Sequence, residues 1–151
     1  MFRAKATNRE DYRVYRTTYK NGDWVYGLLT DRENYLGFAE MTNESGVHCI
    51  EVDKHTIGQF TGLTDKNGKK IFEGDCWVDN DGDYLVYVVE FREAQFCFVC
   101  YGTKGALMEY GYDENAGGFG EVDCFPMTDY IIDTIEIVGN IHDSPELLKG
   151  K

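Results

Sequence analysis

At 151 residues the chain has the length of one domain, or of a domain with a small appended subdomain, and can bury about two thirds of the surface its unfolded state exposes. Twenty-seven Asp and Glu against fifteen Lys and Arg leave a formal charge of −12, which opposes approach to nucleic acid and anionic membranes, and no run reaches the ~20 apolar residues of a membrane span. Hydrophobic residues at 42% exclude a wholly disordered chain, while eleven Tyr, nine Phe, two Trp and only two Pro favour the pleated surfaces of a mainly β protein.

In chain order, residues 2–6 read as a first strand. The start Met1-Phe2-Arg3-Ala4 lacks an apolar export segment, so the protein is expected in the cytosol. Arg3, Lys5, Arg9, Arg13, Arg16 and Lys20 crowd six cations into the first twenty residues, read as a solvated strand face, with an anion site as the alternative. Residues 12–19 and 24–29 are two β-rich runs joined through Asn21-Gly22, whose readiness for positive φ predicts a tight hairpin. Residues 35–40 and 47–52 complete an N-terminal sheet, and a linker-like element follows at 53–58. The chain thus divides into a small N-terminal β region, 1–58, and a larger remainder, 59–151.

Residues 64–69 form a polar turn around Asn67-Gly68. The strongest strand pair is 84–91 with 95–101, joined by Glu93-Ala94 and apolar at alternate positions of both faces, as expected for strands covered on two sides. Gly111, Gly117, Gly118 and Gly120 mark a loop over 111–120. A final strand is predicted over 134–141. Ser144 then caps a short helical turn that Pro145 opens, since the first helical amide needs no partner.

Candidate chemistry is sparse. Asp79-Asn80-Asp81-Gly82-Asp83 with Glu90 approaches a calcium loop, but Tyr84 stands where the sharp bend needs Gly, so an acidic hairpin turn is the better reading, with weak divalent binding left open. Cys97 and Cys100 have zinc-motif spacing inside a strand, where side chains three apart face opposite ways and cannot share a metal. His48, Cys49 and His55 lack a fourth ligand. The odd set Cys49, Cys76, Cys97, Cys100 and Cys124 lies in apolar runs and reads as reduced thiols, not a disulfide framework. Residues 102–105 are too short for a phosphate-cradling loop. No nucleophile–base pair stands out, so no metal site, no cofactor and no enzyme activity is expected.

The run from Thr56 to Asp75, TIGQFTGLTDKNGKKIFEGD, resembles the signature of the YopX family of phage and prophage proteins. Phe2-Arg3-Ala4, Trp24-Val25-Tyr26-Gly27 and the closing residues 135–148, IEIVGNIHDSPELL, fit the same family in the same order, and together these pieces span essentially the whole chain. The resemblance implies a smaller β region followed by an SH3-type barrel, and a gene of phage or prophage origin acting in the bacterial cytoplasm. It brings no catalytic residues with it. Residues 8–19 and the Gly-rich loop depart from the usual family pattern.

Within the run, Gly58, Gly62, Gly68 and Gly74 suit bends while Ile57, Phe60, Leu63, Ile71 and Phe72 fill a core, which makes the run a scaffold. The alternative is a polar binding face made of Gln59, Thr61, Asp65, Lys66, Asn67 and Glu73. With Trp24, Trp77, Tyr110 and Tyr112, some of which are expected at the surface, these residues are the candidate contacts of a noncatalytic protein-interaction module, with self-association as an option. Two other readings compete: nucleic-acid binding through the basic N-terminal segment with Tyr12, Tyr15 and Tyr19, and acidic mimicry of nucleic acid toward a host protein.

Overall fold

In β1 (Phe2–Lys5) the side chains alternate, Phe2 and Ala4 toward a core and Arg3 and Lys5 to the other face, the two-residue period of a pleated strand. A computed structural model of the chain describes residues 1–7, 12–14, 17–32, 35–42, 46–79, 84–103, 119–127 and 132–149. The protein is mainly β with almost no helix, and it forms two units, Met1–Phe60 and Thr61–Lys151.

In the first unit β1 pairs antiparallel with β4 (Trp24–Arg32), β4 with β5 (Tyr35–Thr42), and β5 with β6 (Gly46–Glu51). Its core is Ala4, Ala6, Val25, Ile50 and Val52, with Phe2 and Ile57 packed against it. The hairpin expected through Asn21-Gly22 does not form. Instead β2 (Tyr12–Val14) pairs with β3 (Thr17–Tyr19), and β4 turns to β1, where Val25 stands opposite Ala4. Burial of that apolar pair favours β1 over the polar Thr17-Thr18 as partner. Asn21-Gly22 still makes a turn: Gly22, at φ 89°, donates to the Ala6 carbonyl at 2.8 Å, and Asp23 accepts from the Lys20 amide at 2.8 Å. Residues 53–58 are no loose linker. Asp53 caps a 3-10 turn (Lys54–Thr56), and the buried Thr56 hydroxyl accepts from the Lys5 amide at 2.8 Å.

The chain passes from one unit to the next inside β7 (Gly58–Thr64), whose first residues pair with β1 and whose later ones neighbour β8 (Lys70–Phe72). In the second unit β9 (Asp75–Asp79), β10 (Leu85–Arg92), β11 (Gln95–Thr103) and β12 (Phe119–Pro126) form an antiparallel meander. A two-residue β13 (Gly139–Asn140) flanks β9, giving the order β12-β11-β10-β9-β13. The expected SH3-type closure is not seen: among the described residues this sheet is open, with β12 and β13 at its edges.

Both faces of the central strands are covered, as their two-sided apolar pattern predicts. Val89 and Phe98 meet Ile71, Ile132, Ile135 and Ile137 on one side; Val86, Val88 and Cys76 meet Ile141, Leu147 and Leu148 on the other. Each such buried side chain contributes about 1.5–3 kcal/mol. Phe119 and Gly120, assigned to the Gly-rich loop, begin β12, while residues 111–118 of that loop lie outside the described residues. Of the strand predicted over 134–141 only Gly139 and Asn140 join a ladder, because the amide of Ile137 and the carbonyls of Ile135 and Ile137 are bonded to Asp65, Lys66 and Lys69. The expected C-terminal turn is present as a 3-10 helix (Pro145–Lys149), closed by the Leu147 amide on the Ser144 carbonyl at 3.0 Å.

Candidate functional site

The polar residues of the 56–75 run are mostly turned to structural work. Asp65, only 5% exposed, accepts at 2.9 Å from the amides of Asn67 and Lys69 and at 3.1 Å from that of Ile137, tying the β7–β8 turn to the segment before β13. Burial pushes its carboxyl pKa up, but the three amides and the Lys69 charge outweigh this and hold it below the ordinary 3.8. Lys66 bridges Glu136 at 2.8 Å, and the Thr61 hydroxyl donates to the Ile71 carbonyl at 3.0 Å while accepting from the Leu63 amide. Asn67 and Gln59 are exposed. Asp75, 1% exposed, accepts from the Phe72 amide at 2.9 Å across the tight turn at Gly74, whose φ of 83° suits glycine.

Among the candidate aromatics, Trp24 lies on the outer face of the first unit's sheet, with the Arg3 guanidinium 4.7 Å and the Lys5 ammonium 5.5 Å from its ring centroid. Arg3 is therefore not part of a solvated charge run; it is 6% exposed, packed over an indole. Beside them Tyr26 and Leu28 are exposed. Tyr110 and Tyr112 lie outside the described residues, as do Tyr15, Asn80, Asp81, Gly82 and Asp83, and the side chains of Tyr12, Tyr19, His48 and Cys49 are not described.

The second unit carries a larger aromatic face. Trp77 of β9 stacks on Tyr87 of β10 at 4.0 Å and 5°, and meets the edge of Phe98 at 6.0 Å. Ladder register continues the series across the sheet, Val89 opposite Phe98 and Phe98 opposite Phe125, with Phe91 opposite Phe96 at 5.1 Å. The centre of this face lies under the isoleucines of the core, whereas Phe91 and Phe125 emerge 52% and 37% exposed. The sequence points to Trp77 but to neither phenylalanine. Both stand at alternate positions of strands, so the sequence shows their face and not how far the cover above it extends.

Phe125 lies on β12, and among the described residues no strand pairs with the outer edge of β12. On the sheet's opposite face Glu90 accepts from the Tyr101 hydroxyl at 3.1 Å and from Arg92 at 2.8 Å, and Arg92 grips Glu121 through two bonds of 2.7 and 3.1 Å. Burial, and then the Glu90 charge, push the Tyr101 pKa up to about 12. Glu73, Glu90 and Tyr101 border a cavity of about 300 Å³ walled by Val88, Ile141 and Leu148. Cys97 and Cys100 do face opposite ways, Cys97 bonding the Glu90 carbonyl at 3.6 Å and Cys100 lying beside Tyr87. Among the described residues no group of three or more His, Cys, Asp or Glu is placed to hold a metal ion.

The family model described as YopX protein matches residues 11–149, nearly the whole chain. The chain belongs to the YopX family. No curated protein matches it. In this YopX chain the signature and the closing segment both carry turn locks: Asp65 and Asp75 with their amides in the first, and in the second Asn140, whose side-chain oxygen accepts from the amides of His142 and Asp143 at 3.0 Å.

Proposed function

We propose that this YopX protein is a noncatalytic protein-interaction module, a phage or prophage accessory protein working in the bacterial cytoplasm. The observation that carries the reading is the pair of exposed phenylalanines, Phe91 and Phe125, continuing a packed aromatic face to the edge of β12, which pairs with no further strand among the described residues. A partner segment can add as a strand to such an edge, with backbone bonds supplying affinity and the aromatic side chains selecting apolar residues. A net charge of −12 favours a basic partner and raises its encounter rate at low salt. Packing of Leu63 and Ile71, from β7 and β8, over the five-stranded sheet is the feature that supports an SH3-type arrangement. Nucleic-acid binding through the basic N-terminal segment with Tyr12, Tyr15 and Tyr19 is less favoured, since a net charge of −12 opposes approach to phosphates.

The test is affinity capture from phage-infected bacterial lysate, with nuclease treatment and at two salt concentrations, comparing the native chain with a Phe91→Ser, Phe125→Ser double variant. A nuclease-resistant protein recovered by the native chain and lost with the variant, both chains retaining one urea midpoint, is the expected result. Equal recovery by both chains overturns the aromatic docking face. Nucleic acid in place of protein moves the function to the basic face of the first unit.

A further inference from the structure

The thiols of Cys97 and Cys124, 27 residues apart in sequence, meet across β11 and β12 with their sulfurs 3.1 Å apart. Register pairs Cys97 with Pro126 and Cys124 with Val99, so the two cysteines are diagonal neighbours on one sheet face. The Cys124 thiol donates to Cys97, and Cys97 in turn donates to the Glu90 carbonyl at 3.6 Å. Their accessibility differs sharply: Cys97 is 2% exposed, whereas Cys124 faces solvent. The other described thiols, Cys76 and Cys100, are fully buried. One accessible thiol in contact with one shielded thiol is the arrangement of an attacking and a resolving cysteine.

We infer that Cys97 and Cys124 form a reversible oxidation site, closed to a disulfide by a peroxide. The Cys124 thiolate attacks one oxygen of hydrogen peroxide, the O–O bond breaks, and the departing hydroxide takes up the proton released by Cys124 to leave as water. The resulting sulfenic acid sits against Cys97, whose sulfur attacks it; the S–O bond breaks, and hydroxide leaves with the Cys97 proton as a second water. Two thiols and one peroxide thus become one disulfide and two waters, the sulfurs oxidised and the peroxide reduced. Burial pushes the Cys97 pKa up to about 11, so this group remains a protonated thiol until the sulfenic acid appears.

Diagonal positions across an antiparallel pair place Cα atoms ~7–8 Å apart, against the ~5.5–6 Å of a relaxed disulfide. Closure therefore draws β12 toward β11, which the edge position of β12 and the register shift at Cys100 and Tyr101 permit. A bond made with such strain is easily reduced, the property of a labile and not a structural disulfide. The chemistry requires no docked partner.

The experiment treats the purified full chain with equimolar hydrogen peroxide, quenches it by alkylation and maps the peptides. The expected result is a mass lower by about 2 Da per chain, a single Cys97–Cys124 cross-link, and reversal by dithiothreitol, with Cys76 and Cys100 untouched. A Cys97→Ser variant should give no cross-link and should accumulate a dimedone-reactive sulfenic acid at Cys124. Cross-links to other cysteines, a Cys124 sulfinic acid beside unmodified Cys97, or five thiols that all remain free would each overturn the assignment. The native chain's map decides the matter even if the variant fails to fold.

Discussion

Asp65 shows what one residue does in this protein. Its carboxylate stands in for a strand, collecting the amides of Asn67, Lys69 and Ile137. An Asp65→Ala substitution strands three donors, at least one of them buried, and should cost about 3 kcal/mol, read as a lower urea midpoint with an unchanged slope. The pH dependence has a definite sign. Because the folded pKa lies below the ordinary value of 3.8, the Asp65 contribution is complete above about pH 4 and fades as pH falls through the folded value. The stability gap between native and Asp65→Ala chains should therefore narrow in acid, and a gap constant from pH 7 down to pH 2 would refute the assignment. The sequence shows an Asp ahead of Asn67-Gly68, which predicts a turn. It does not show the amide of Ile137, which lies 72 positions away.

At the scale of elements, the β10–β11 hairpin was legible because both periods, the alternation and the two-residue gap, lie within one short stretch. Its turn is nevertheless costly. Glu93 and Ala94 hold φ of 49° and 63°, left-handed values that a Cβ disfavours by ~1–2 kcal/mol per residue. Ala94→Gly should stabilise the protein by up to about 1 kcal/mol after the entropy cost of glycine, seen as a higher denaturation midpoint. A lower midpoint would mean that the Ala94 methyl makes a contact worth more than the strain. The hairpin at Asn21-Gly22 was misread for the opposite reason. Its turn chemistry is right, but β4 finds its partner in β1, which precedes it by some twenty residues, through the Ala4–Val25 pair. Local propensity predicted a bend there, and burial chose the ladder.

On the scale of the molecule, each unit has a core of its own: Ala4, Val25 and Ile50 in the first, and the two clusters around Val89 and Val86 in the second. A fragment spanning Gly58–Lys151 retains β7 to β13 and should unfold cooperatively in urea, followed by the fluorescence of Trp77 against Tyr87. A gradual, non-sigmoidal transition would show that the second unit depends on the first. The sequence by itself determined the mainly β class, the family, the doubly covered central strands and the turn at Asp65, because these follow from short-range alternation, turn residues and one contiguous signature. Tertiary structure alone decided that β4 pairs with β1 and that Ile137 is held by the side chains of Asp65 and Lys69 instead of a ladder. It also decided which phenylalanines escape the core, and that Cys97 meets Cys124 and not Cys100. These features depend on register and cover between segments far apart in the chain, and the free energy that selects them is gained only when the sheets are assembled.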